Sequence, residues 1–213
     1  MSVKVSVTYY SATGTVHRLA EAVAEGAAAA GAEVRLRRVA ELASTAAVDA
    51  NPRWREHLNT VAAAVPEAGL DDLEWADGYA FGTPTRYGSP AAQLKQFIDQ
   101  TGPLWQRGVM ADKPVTSFTA ATNRHGGQEA TILALNNVFY HWGALIVPPG
   151  YTDPLLYAAG GNPYGTSHIS GYPATLPGEE ILAAARYQGR RLAEVTATLV
   201  IRRNSLATTG APT

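Results

Sequence analysis

Ser11-Ala12-Thr13-Gly14-Thr15-Val16 stands directly between the apolar run Val3 to Tyr9 and an alanine-rich stretch with helical spacing. Three hydroxyls and one glycine let the backbone wrap an anion, and the free N–H groups and positive dipole end of a following helix favour negative charge. A Walker loop needs Gly-x-x-x-x-Gly-Lys-Ser/Thr and a dinucleotide-binding turn needs Gly-x-Gly-x-x-Gly. This turn has one glycine and no lysine, and fits neither. It reads as a lysine-free phosphate cradle, against the plainer alternative of a strand-to-helix connection with a Ser/Thr cap.

Outward from this loop, hydrophobic periodicity alternates strand and helix as an open parallel sheet demands. Val3 to Tyr9 is the first strand. The pairs Leu19-Ala20, Val23-Ala24 and Ala27-Ala28 predict a helix over His17 to Gly31, with Gly31 as its stop. Glu33 to Val39 is the second strand, Asp77 to Gly82 the third, Pro114 to Ala120 the fourth and Ala144 to Val147 the fifth. Helices are predicted over Pro90 to Gln100, with proline in the first turn, over Gln128 to His141, and over Glu179 to Arg202. Residues 44–74 are too long for a compact connection and form an insertion with a short helix over Arg53 to Ala64. Residues 148–178 form a second long loop. Residues 1–203 make a single domain, and 204–213 are expected to be a fraying, flexible tail.

The 213 residues can bury a substantial core, while a net charge of -1 argues against a nucleic-acid partner. Arg35-Leu36-Arg37-Arg38 reads as a solvated strand edge. The absence of cysteine excludes disulfides and thiolate metal sites. No run approaches ~18 apolar residues, so no membrane span is expected, and the chain is read as cytoplasmic. The histidines include no His-x-x-x-His pair, and no metal is expected. His17, at a helix start where a protonated ring would oppose the dipole, reads as a surface residue. Trp54, Trp75 and Trp142 read as core or interface aromatics.

Ligands of an open parallel sheet lie at the carboxyl ends of its strands, and the unusual residues fall there. Gly82-Thr83-Pro84-Thr85-Arg86-Tyr87-Gly88 follows the third strand and offers donors and a flat face to a planar ring. Asn123-Arg124-His125-Gly126-Gly127-Gln128 follows the fourth and offers backbone N–H groups to the polar edge of a heterocycle. A hydroxyl-rich first loop beside two such loops suits FMN in a flavodoxin-like fold.

Thr8-Tyr9-Tyr10-Ser11, Phe81 to Gly88, Phe97-Ile98-Asp99-Gln100-Thr101-Gly102-Pro103-Leu104-Trp105 and Asn162-Pro163-Tyr164-Gly165 resemble the WrbA family over roughly Val3 to Leu199. The resemblance implies a flavodoxin-like α/β fold, a doubly wound five-stranded parallel sheet in the order 2-1-3-4-5 with helices on both faces. It also implies FMN, NADH or NADPH as co-substrate, a quinone as acceptor, and a homotetramer. By the same likeness Ser11, Ala12, Thr13, Gly14, Thr15 and Val16 would hold the FMN phosphate. Pro84, Thr85, Arg86, Tyr87 and Gly88, with Ala121, Thr122, Asn123, Arg124, His125 and Gly126, would surround the isoalloxazine. Trp105 would close the substrate pocket from a neighbouring subunit, with Thr13 on the nicotinamide path. His141 matches the family's active-site histidine, as cofactor contact and proton or hydrogen-bond donor to the quinone oxygen.

Two departures stand out. Thr13 occupies a place where the family often has an aromatic residue, and the 121–126 loop carries Arg124 and His125 where better-known members read Ser-Thr-Gly-Thr-Gly-Gly. The bulk of Arg124 and His125 must point away from the flavin or reshape the pocket. Hydride acceptance at flavin N5 followed by quinone entry into the same slot implies ping-pong kinetics. An FMN electron carrier or interaction protein, and an FMN or azo-compound reductase, stay open beside the quinone reductase.

Overall fold

The computed structural model describes residues 2–209. Strand β1 (Lys4–Tyr9) is buried on both faces: Val5 and Val7 enter an apolar core, and the Ser6 and Thr8 hydroxyls meet each other at 3.3 Å. It pairs in parallel with β2 (Glu33–Arg38) on one side and β3 (Gly78–Arg86) on the other. Beyond β3 come β5 (Pro114–Ala121) and β6 (Leu145–Ile146), both parallel, giving the order β2-β1-β3-β5-β6. This is the expected 2-1-3-4-5 winding.

Two further strands raise the count to seven. Strand β4 (Ser89–Pro90) folds back antiparallel on β3, and β7 (Ser167–Ile169) runs parallel to β5. Strand β6 covers β5 at Pro114 and Val115, whereas β7 covers it at Thr119 to Ala121. The fifth position of the sheet is therefore one strand interrupted by an excursion of the chain, which contains α8 (Leu155–Ala158).

One face of the sheet packs against α1 (Thr15–Ala29) and α9 (Glu179–Thr209) through Val7, Ala80, Phe118, Leu19, Val23, Leu192 and Ala193. The other face packs against α4 (Leu70–Trp75), α5 (Ala92–Asp99), α6 (Gly102–Gln106) and α7 (Gln128–Trp142) through Tyr79, Phe81, Leu94, Leu135 and Phe139. Strand alternation sends Ala80 to one core and its neighbours Tyr79 and Phe81 to the other. Helices α1 and α9 touch backbone to backbone: a Cβ on Gly26 would lie 1.9 Å from the Arg186 carbonyl oxygen, and one on Gly189 2.0 Å from that of Val23.

Several boundaries differ from the sequence pattern. Strand β3 continues through the stretch read as a loop, because Gly82, Thr83 and Pro84 pair with Phe118, Thr119 and Ala120. Only Tyr87 and Gly88 turn. Pro90 lies in β4 rather than in a helical first turn, and the N–H of Ala91 instead donates to Thr83 Oγ1 at 2.9 Å. The insertion holds α2 (Thr45–Asp49), α3 (Pro52–His57), a π-helical turn (Leu58–Ala62) and α4, rather than one helix. The arginines of β2 are no solvated edge. Arg35 and Arg37 donate to Asp72 at 3.1 and 3.0 Å, and Arg38 to the Ala62 carbonyl at 2.6 Å, fastening the insertion to the sheet. Helix α9 runs to Thr209, past Arg202, and residues 210–213 of the expected tail lie outside the described residues.

Candidate functional site

The first loop leaves β1 with the N–H of Tyr10 on the Gly82 carbonyl at 2.9 Å and closes with the N–H of Gly14 on Ser11 Oγ at 3.1 Å. Gly14 sits at φ +94° as the N-cap of α1. The first intrahelical bond runs from the N–H of Arg18 to the Gly14 carbonyl, so the N–H groups of Thr15, Val16 and His17 have no helical acceptor. No side chain caps them, and the first turn carries no acid. A fifteen-residue helix therefore presents an uncapped positive end, with the hydroxyls of Ser11, Thr13 and Thr15 around it. A phosphate dianion fits this donor set; a cation does not.

That end opens into a cleft of ≈ 240 Å³. Ser11, Ala12, Thr13, Thr15 and Val16 form one wall, Pro84, Thr85 and Arg86 from the end of β3 a second, and Ala120, Ala121 and Thr122 from the end of β5 a third. The hydroxyl of Thr85 lies 3.1 Å from that of Thr119 and accepts from Thr131 at 3.2 Å, while Thr119 donates to the Thr83 carbonyl at 2.6 Å. This hydroxyl chain locks β3, β5 and α7 together beneath the cleft.

Five residues of the cleft were not among the expected site residues: Ala120 at the end of β5, and Asn51, Trp54, Ser170 and Ala174. Trp54 packs half-buried against the second core, as a core aromatic would, and also lines the cleft. Asn51 Oδ1 accepts from the N–H groups of Arg53 and Trp54, and Pro52 occupies the first turn of α3. That Asn-Pro cap was the available sequence signal. The Trp54 indole N–H donates to Glu41 Oε2 at 3.0 Å, an oxygen that also accepts from the Tyr10 hydroxyl at 2.8 Å. Glu41 Oε1 accepts from Gln93 Nε2 at 2.7 Å and from the N–H groups of Leu42 and Ala43 at 2.9 Å each. Burial works to raise the Glu41 carboxyl, but these donors outweigh it and hold it below the ordinary range. The carboxylate ties the insertion, the first loop and α5 into one knot behind the cleft.

Other expected contacts are not brought to the cleft of this chain. Tyr87, at φ +52°, points fully into solvent. Gly127, at φ +91°, packs so tightly on Gly88 that a Cβ would lie 2.8 Å from the Gly88 Cα. In the turn before it, Arg124 and His125 are exposed. Both line a separate groove with Gln128, Asn162 and Ile169. Gly88, Asn123 and Gly126 do not line the cleft either. Trp105 and His141 lie together at the opposite edge of the sheet. The Trp105 indole donates to the His141 carbonyl at 2.8 Å, and α7 ends there beside the start of β5, with the N–H of Asp112 on the Gly143 carbonyl. Both side chains are exposed.

His17 is buried rather than exposed. Its Nδ1 lies 2.6 Å from the Tyr9 hydroxyl and its Nε2 3.2 Å from Glu21, because β1, the first loop and the start of α1 fold back on one another. Burial lowers the ring's pKa, against the raising effect of Glu21.

A parallel sheet wound in this order, with a lysine-free phosphate loop at its switch point, is a flavodoxin-like protein. The chain belongs to the family of NADPH-dependent FMN reductases, whose model matches residues 6–152. It is 42% identical to a protein of Deinococcus radiodurans named NAD(P)H dehydrogenase (quinone), over 93% of this chain and 98% of that one. It is equally 42% identical to one of the same name from Geobacter sulfurreducens, over 92% and 98%. Among solved structures it is similar to a WrbA-like flavodoxin of Agrobacterium tumefaciens, with a TM-score of 0.64 and 26% identity over 92% of this chain and 99% of that one.

Proposed function

We propose that this chain is an FMN-dependent NAD(P)H:quinone oxidoreductase. The observation that carries the reading is the uncapped, acid-free start of α1, opening on a cleft walled by the ends of β1, β3 and β5. Ser11, Thr13, Thr15 and the free N–H groups of α1 would bind the FMN phosphate; Pro84, Thr85 and Arg86, with Ala121 and Thr122, would flank the rest of the cofactor. Bound FMN supplies the two-electron chemistry, taking hydride from the nicotinamide and passing the electrons to a quinone. The protein orients both reactants in one slot, which gives ping-pong kinetics.

The reading extends to assembly and to the compartment. Trp105, 56% exposed, and His141 sit too far from their own cleft to serve it, so a homotetramer in which they reach a neighbour's cleft is the proposed functional form. There Trp105 would wall the quinone pocket, and the His141 ring would donate to the quinone oxygen. Exposed Tyr140 and Leu133 on α7 support an interface on this side. A single unit over residues 1–203 and a cytoplasmic setting complete the proposal; no helix among the described residues is long and apolar enough to cross a membrane.

The test is direct. Purified protein is titrated with FMN and its visible spectrum recorded, and oxidation of NADH and NADPH is then followed with benzoquinone. Failure to bind FMN sinks the reading, and binding without turnover would promote an electron carrier. The net charge of -1 already disfavours the acidic docking face of a carrier. Trp105→Ala should raise the quinone KM without loss of FMN; an unchanged KM would remove Trp105 from the pocket.

A further inference from the structure

A second pocket of ≈ 230 Å³ lies on the other side of the first loop and shares Thr13 with the cofactor cleft. Its floor is made by Gly14, His17 and His57, and its mouth by Arg18, Arg53 and Thr60. His57 comes from the insertion, and its Nδ1 lies 3.5 Å from where a Cβ on Gly14 would sit. The ring is only 6% exposed and packs 5.7 Å from that of His17. Yet no hydrogen bond from the described residues reaches either of its nitrogens.

Neither nitrogen is fully enclosed, so the hydrogen-bonding edge of this otherwise buried ring opens onto the pocket, where water or a ligand satisfies it. Burial, with the charges of His17 and Arg38 adding to it, lowers its pKa to about 4, so the ring is neutral and presents one donor and one acceptor. That pair of functions matches the edge of an aromatic heterocycle better than it matches an ion. Val61 and Leu176 supply apolar cover for a flat ring. The two arginines at the mouth keep donors to spare: Arg18 pairs with Glu21, and Arg53 uses one nitrogen on the Ala174 carbonyl.

We propose that this pocket seats the adenosine end of the nicotinamide dinucleotide, with the purine edge on His57 and the phosphates reaching Arg18 and Arg53. The inference rests on the NAD(P)H reading above. It gives the co-substrate a second foothold that leads past Thr13 to the cofactor cleft, and it explains why a small threonine suffices there: the anchoring is done by the insertion. Glu56, also at the mouth, lies beside the arginines and limits how much phosphate charge is welcome.

The experiment compares NADH and NADPH with dihydronicotinamide mononucleotide, which lacks the adenosine, on the FMN-loaded protein. His57→Phe keeps the ring and removes its hydrogen bonds, and the ratio of the dinucleotide KM to the mononucleotide KM should rise about 3–10-fold. Thr60→Trp, an exposed position that closes the mouth without touching the core, should move the same ratio in the same direction. Calorimetry with AMP gives a readout free of turnover: AMP should bind the unaltered protein and compete with the dinucleotide, and both variants should weaken it. The proposal is overturned if AMP neither binds nor competes, or if the variants leave the ratio unmoved. Oxidation of no donor at all would instead overturn the oxidoreductase reading, and the AMP titration would still decide the pocket.

Discussion

Replacing Glu41 by alanine is expected to loosen the cofactor cleft from a site that lies behind it. Five donors converge on this carboxylate, from Tyr10, Trp54, Gln93, Leu42 and Ala43. The two backbone donors face a surface turn, where water replaces the carboxylate at small cost. Of the three side-chain donors Tyr10 is buried and Trp54 and Gln93 are half-buried, and a hydrogen bond of this kind contributes about 1 kcal/mol net. Their loss therefore destabilises the fold by about 3 kcal/mol, which for a chain of this length lowers Tm by roughly 6–12 °C. Glu41→Gln is only a partial remedy, since its amide has a single oxygen: turned to accept from Gln93, Leu42 and Ala43, it faces its NH2 toward the Trp54 indole N–H, and turned the other way it faces the three donors.

The consequence for function follows from Trp54, whose indole is held in the cleft wall by this one acceptor. In Glu41→Ala the indole gains freedom, its emission should shift to the red, and FMN affinity should fall several-fold. Thermal unfolding by circular dichroism, tryptophan emission and an FMN fluorescence titration read the three effects separately. A Tm shift below about 2 °C together with an unchanged FMN affinity would refute the knot as the device that fixes this wall.

Gly127→Ala should cost about 2–4 kcal/mol and weaken FMN binding, because the residue sits at φ +91° and its Cβ would press on the Gly88 backbone; urea unfolding and an FMN titration check it. Gly26→Ala should cost a similar amount, since overlap with the Arg186 carbonyl far exceeds the roughly 1 kcal/mol gain in helix propensity. FMN affinity should be unaffected, which separates the two glycines. Stability should also fall with pH below neutrality through His57. Its folded pKa of about 4 lies below the ordinary value of 6.5, so the unfolded chain binds the proton first as pH drops. The contribution is complete above about pH 6.5 and lost down to about pH 4. Urea midpoints at pH 7.5 and 5 measure it, and the slope should flatten in His57→Phe; an identical slope would count against a buried neutral ring.

What the sequence disclosed and what it hid divide along a physical line. Val5 and Val7 alternate, Gly31 sits at positive φ just past α1, and the cradle from Ser11 to Val16 is contiguous; each signal is local. Strand β3 beyond Gly82 was hidden because its identity as strand depends on β5. Gly82 leaves room for the Phe118 ring, which would lie 2.3 Å from a Cβ there, and Pro84 pairs with Ala120. Strand β7 is three residues long and exists only as the partner of β5. His17 was misread since a helix-start rule knows nothing of a tyrosine eight residues earlier that folds back to meet it. Apart from Ala120, the residues missed at the site come from the two long connections: Ser170 and Ala174 from the 148–178 loop, and the rest from the insertion. Asn51, Trp54 and His57 come from the insertion, where short helices replace a long periodic one and placement depends on Glu41 and the arginines of β2. Position of the cleft is thus written locally in the strand ends, while the groups that would choose among ligands are placed by contacts distant in sequence. Exchange of residues 44–74 with the corresponding segment of a relative should therefore alter co-substrate preference more than FMN affinity. Equal change in both would mean that the insertion acts as scaffold for the cleft and not as its selector.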